Sequence, residues 1–169
     1  MSATAEFKYD SKGRAHYLLK QEFAKSCGPA CVAMVEGFYK LKCMINPEER
    51  VRQLSQKYPG SFSKEEGTTM ENLYEVLSAE SVKAKAPANI PRGEFFDYLY
   101  YNVDERTPAI VQVQWSGGGY HFAVCRIADK DQPLVFLDPL NGVIEVEKQN
   151  LPRYRATGQL TGNVIITQR

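Results

Sequence analysis

The chain has 169 residues, enough for one well-buried core and short for two. Its 21 Lys and Arg against 20 Asp and Glu leave a formal charge of +1, which gives no electrostatic reason to bind nucleic acid or an anionic membrane. No window approaches the ~20 apolar residues of a membrane span, and the polar opening MSATAEFKYDSKGR lacks the apolar core of a signal peptide. The expectation is a soluble protein, cytoplasmic or translocated without an ordinary signal peptide.

Taken in order, the first half reads helical. After Ser26 and Cys27, the residues Ala30, Val32, Ala33, Met34, Val35 and Phe38 suit a helix buried on most of its surface, with Pro29 tolerated in its first turn. Asn46-Pro-Glu-Glu predicts a capped second helix from about Pro47 to Lys57. Thr69 and Glu71 before Leu73, Tyr74 and Leu77 predict a third, and the aromatic run from Glu94 to Val103 a fourth, its FFDYLYY stretch serving mainly the core. KAKAPANIPRG, residues 83 to 93, reads as the linker between halves. Five β-branched or alternating runs follow: AIVQVQW, YHFAVCRIA, PLVFLD, GVIEVE and NVIIT, joined by short turns that favour antiparallel pairing. The whole predicts one α+β domain over residues 1–169, a helical half to about 106 and a sheet half from about 107, with a cleft between the layers.

Of the four cysteines, Cys27, Cys31, Cys43 and Cys125, none is expected in a disulfide. Three residues separate Cys27 from Cys31 and no second cluster follows, so no zinc site or other metal is expected. Cys27 alone has a chemical setting. The positive end of a helix and a nearby imidazole both favour a thiolate, which is the nucleophilic form. When a thiolate attacks an amide carbonyl, charge develops on the oxygen, and the backbone N–H of Cys27 with the side-chain amide of Gln21 could bind it. Gly28 permits close backbone approach beside the nucleophile.

A catalytic cysteine needs a base. His121 follows the flexible run SGGGY and opens an apolar strand, whereas His16 has no comparable setting. If the hairpin loop after that strand centres between Lys130 and Asp131, His121 lies opposite Leu140 and Asp138 is its diagonal neighbour on the same face. Asp138 would then hold the Nδ1–H of the ring and leave the other nitrogen to Cys27, with Asn141 as the alternative orienter. Trp115, just before the glycines, is the aromatic residue expected near the site.

Together these residues resemble the papain-like cysteine peptidase superfamily, and within it the peptidases that remove double-glycine leaders from bacteriocins and their stand-alone relatives. Gln21, five intervening residues and Cys27-Gly-Pro match the first motif of that group, and His121 with Asp138-Pro seventeen residues later matches the second. The resemblance implies a papain-like fold, Cys27 as nucleophile, His121 as general base and acid, Asp138 as orienter, Gln21 as oxyanion donor, a protein or peptide substrate and no cofactor. It spans about residues 21 to 142. Leader peptidases are commonly joined to a membrane transporter, and the lack of such a segment here suggests a free-standing enzyme, a translocated effector or toxin. The expected activity is that of a cysteine endopeptidase acting through a thioester; the same groups would serve a deamidase or acyl transferase, and a binding module without turnover is the reading from another class.

Overall fold

The computed structural model describes residues 4–21, 26–40, 47–62 and 67–168. It opens with an antiparallel hairpin, β1 (Thr4–Tyr9) and β2 (Ala15–Lys20). This corrects the expectation of a helical half running from residue 1. The apolar residues of β2, Leu18 and Leu19, are adjacent and so carry no strand periodicity. Both are nonetheless 0% exposed. Neighbours on a strand face opposite ways, so burial of both requires cover on two sides, which the first helix and the far strands of the main sheet supply. Tertiary packing makes this segment a strand.

Four helices follow: α1 (Cys27–Lys40), α2 (Pro47–Lys57), α3 (Met70–Ala79) and α4 (Phe95–Asn102). In α1 every residue from Ala30 to Val35 is buried, as the apolar run predicts, and Pro29 sits in the first turn, where the absent N–H has no helical partner to lose. The bounds of α2 are those read from the sequence, although its expected cap, Asn46, lies outside the described residues. Thr69 caps α3, its hydroxyl accepting the Asn72 N–H at 3.1 Å. Arg50 of α2 binds both carboxylate oxygens of Glu36 on α1 at 2.6 Å and reaches Glu80 beyond α3, tying three helices together.

The remaining strands are β3 (Ala88–Asn89), β4 (Ala109–Trp115), β5 (Tyr120–Ile127), β6 (Leu134–Asp138), β7 (Gly142–Val146), β8 (Arg153–Arg155) and β9 (Gly158–Ile166). They form an antiparallel sheet in the order β3-β9-β4-β5-β6-β7, with β8 also on β9. The expected linker is therefore an edge of the sheet: β3 pairs with β9, and Lys85 N–H bonds to Ile166 O at 2.8 Å. Alternation divides the core. Ile110, Phe122, Val124, Leu137 and Ile165 join α1, α2 and α3 on one face. Val111, Ala123, Cys125, Phe136 and Val164 pack with α4 on the other. Phe95 and Leu99 of α4 are buried there, while Tyr101 is exposed, so the aromatic run serves the core on one side. The architecture is α+β, as expected.

Candidate active site

Cys27 is the first residue of α1, where the backbone N–H groups have no partner within the helix and no acidic side chain occupies the first turn. Its side chain is buried, at 5% exposure. Gly28 behind it has no room for a side chain: a Cβ would lie 2.5 Å from Thr68 Cγ2 and 3.3 Å from Phe62. The close approach expected of this glycine is thus to the segment before α3.

His121 lies one residue into β5, paired with Val113 of β4, and is 2% exposed. The β5–β6 register pairs Val124 with Leu137 and Cys125 with Phe136, the alignment inferred from a loop centred between Lys130 and Asp131. Continued toward β5's start, that alignment brings Asp138 diagonally beside His121, and the two side chains meet at 2.7 Å. The nitrogen involved corrects the expectation. Asp138 takes Nε2, not Nδ1. A diagonal neighbour is ~7–8 Å away between Cα atoms, and Nε2 is the ring nitrogen farther from the backbone, so it makes the longer reach. Nδ1 remains for the Cys27 hydrogen bond.

Asp138 is fully buried and has a full set of donors. Its Oδ1 accepts His121 and the backbone N–H groups of Leu140 and Asn141; its Oδ2 accepts Tyr154 Oη–H at 2.6 Å and Asn141 Nδ2–H at 3.1 Å. Asn141, the alternative orienter, therefore supports Asp138. Tyr154 on β8 carries no local signal in the sequence, because its partner is reached only through the β8–β9 pairing. Trp115 does lie beside the site, its ring 5.4 Å from that of His121. It can do so because position 158 is glycine: a Cβ there would come within 2.5 Å of the indole.

Gln21 follows β2, and its backbone N–H donates to Pro139 O at 2.9 Å, next to Asp138 in the chain. Its side-chain Oε1 is buried. His16 is placed elsewhere, bonded through Nε2 to Asp10 at 2.7 Å. Cys31 and Cys125 are fully buried, and Cys43 lies outside the described residues.

The electrostatics of the pair follow from its contacts. Burial pulls His121 down, but hydrogen bonds and charge attraction from Asp138 and Cys27 outweigh this and push it up to about 9. Burial raises Asp138, and the His121, Tyr154 and Asn141 bonds overcome it, bringing it down to about 2. Burial pushes Cys125 up to about 12 and raises Cys31 well above the usual thiol range. A cleft of about 340 Å³ is lined by Thr68, Tyr120, Gln112, Asn89 and Asn163; Tyr120 precedes His121 in the chain, and Thr68 lies where a side chain at Gly28 would reach. Among the described residues, no group of three or more His, Cys, Asp and Glu side chains is placed to hold a metal ion.

A buried imidazole between a carboxylate and a thiol, with that thiol at a helix start, is an arrangement suited to nucleophilic attack on a carbonyl. Residues 15–156 match the peptidase C39 family. The chain belongs to that family. This C39 member is accordingly a cysteine peptidase, a hydrolase with protein or peptide substrates, as the resemblance to leader peptidases implied. Among solved structures, it is similar to the Pseudomonas avirulence protein AvrPphB, with a TM-score of 0.51 and 10% identity over 85% of this chain and 92% of that one, a likeness of fold. No curated protein sequence matches it. Among the described residues, no helix of this C39 peptidase is long and apolar enough to cross a membrane.

Proposed function

We propose that the 169 residues act as a single catalytic domain, an endopeptidase in which Cys27 is the nucleophile, His121 the general base and acid, Asp138 the orienter and Gln21 an oxyanion donor. The observation that carries the reading is the His121 Nε2–Asp138 bond of 2.7 Å between two buried side chains, which directs Nδ1 to Cys27. The thiolate is the nucleophilic form of a cysteine. The sulfur attacks the scissile carbonyl carbon, and the oxygen takes up the electron pair under the N–H of Cys27 and the amide of Gln21. His121 gives its proton to the leaving amine as the C–N bond breaks, leaving a thioester. Water then attacks that thioester, giving a proton to His121, and the acid product departs as the sulfur is released.

We extend the proposal to an effector role, the peptidase acting on proteins of a target cell. Incubation of wild type and Cys27→Ala with a protein extract, read by mass spectrometry for new chain termini, tests both parts. Termini that depend on Cys27 are expected. Ammonia release from intact chains would replace the peptidase step by deamidation, and absence of any Cys27-dependent product would favour a binding module. In the same assay Gln21→Ala should lower turnover by ~10²–10³ without unfolding the protein. A loss of only a few-fold would remove Gln21 from the oxyanion hole.

A further inference from the structure

Seven residues into α1 from Cys27, roughly 10 Å along the axis, the helix leaves the candidate active site and begins to line a second cavity. Its volume is about 340 Å³, within the range of small-molecule pockets. The walls are apolar: Met34, Val35 and Phe38 of α1, Val124 of β5, Leu137 of β6 and Phe7 of β1. Phe7, on β1, lies outside the residues that match the family.

Polar side chains interrupt the apolar lining, among them Tyr17 and two that can carry charge. One is His16, 6% exposed and held by Asp10. The other is Arg126, whose guanidinium lies 4.4 Å from the Phe38 ring centre. Arg126 has one weak hydrogen bond, from Nη2 to Glu105 O at 3.3 Å, while its Nη1 is buried without a hydrogen-bond partner. Arginine stays protonated in proteins. A buried guanidinium nitrogen with nothing to donate to is costly, and a carboxylate is an anion whose geometry a guanidinium fits. Desolvation pulls Arg126 down, and charge attraction from Cys125, Tyr39, Glu105 and Asp104 only partly offsets it.

We infer that this cavity binds a small monocarboxylic acid with an apolar tail, the carboxylate on Arg126 and the tail among Met34, Val35, Phe38 and Phe7. The site is separate from the catalytic cleft, though Leu137 and Val124 connect its wall to the strands that carry Asp138 and His121.

Octanoate serves as the probe, with octan-1-ol as its uncharged counterpart, titrated by calorimetry into wild type, Arg126→Met and Ala15→Phe. The methionine keeps an apolar stem over Phe38, and the phenylalanine adds bulk to the cavity wall on its β2 side while leaving the arginine in the sequence. One saturable octanoate site is expected in wild type, about tenfold or more tighter than for octan-1-ol. Arg126→Met should abolish that preference, Ala15→Phe should weaken both ligands, and prior alkylation of Cys27 should change neither. Equal affinity for acid and alcohol, no saturable octanoate binding at millimolar concentration, or loss of binding on Cys27 alkylation would each overturn the inference. Should Arg126→Met fail to fold, the acid-to-alcohol comparison in wild type and the Ala15→Phe titration still decide.

Discussion

His121 and its neighbours set a testable pH behaviour. Its folded value is raised to about 9 from 6.5, so the proton it holds between Asp138 and Cys27 is retained through neutral pH. If that proton is passed to the leaving amine, kcat/KM should fall on the alkaline side with a midpoint near 9; a midpoint near 6.5 would show a histidine free of both partners. The same shift stabilises the fold: its contribution is complete below 6.5 and is lost as pH rises through about 9. Urea midpoints at pH 6 and pH 10 should therefore differ more in wild type than in His121→Gln. Tyr154 is a positioning residue one step removed. Its hydroxyl bonds Asp138 Oδ2, which keeps a bond from Asn141, so Tyr154→Phe should cost about 1.5–3 kcal/mol of stability and lower kcat while leaving KM little changed. An unchanged alkaline midpoint with full kcat would make Tyr154 purely structural.

At the level of elements, the site depends on how strands are joined. Gly118 and Gly119, at φ +96 and +88, turn β4 into β5, a region of backbone space open to glycine, and so deliver His121 to the start of its strand. Trp115 at the end of β4 covers His121 only because Gly158 on β9 leaves space under the indole. Gly158→Ala should force the rigid ring aside, costing about 1–3 kcal/mol and slowing alkylation of Cys27 by iodoacetamide. Trp115 fluorescence and labelling rate should change together. Unaltered fluorescence and labelling would mean that the sheet absorbs the methyl elsewhere.

Across the whole molecule, the N-terminal hairpin is part of the core. Leu18 and Leu19 share a buried cluster with Cys27, α1, α2 and α3, and Gln21 follows directly from β2. Leu18→Ala should cost about 2–5 kcal/mol in urea unfolding, whereas a hairpin that is only an appendage would cost less than about 1. The sequence by itself determined the helix that starts at Cys27, the bounds of α2, the cap at Thr69 and the register that brings Asp138 to His121. Each rests on a local signal: an apolar run, a proline in a first turn, a hydroxyl cap, a loop whose centre sets the pairing of two strands. Only the tertiary structure decided that residues 4–20 form a hairpin, that residues 83–93 edge the sheet, that Nε2 and not Nδ1 meets Asp138, and that Tyr154 supports it. Those outcomes depend on partners distant in the chain, where burial on two sides, strand pairing and the reach of a ring outweigh what neighbouring residues prefer.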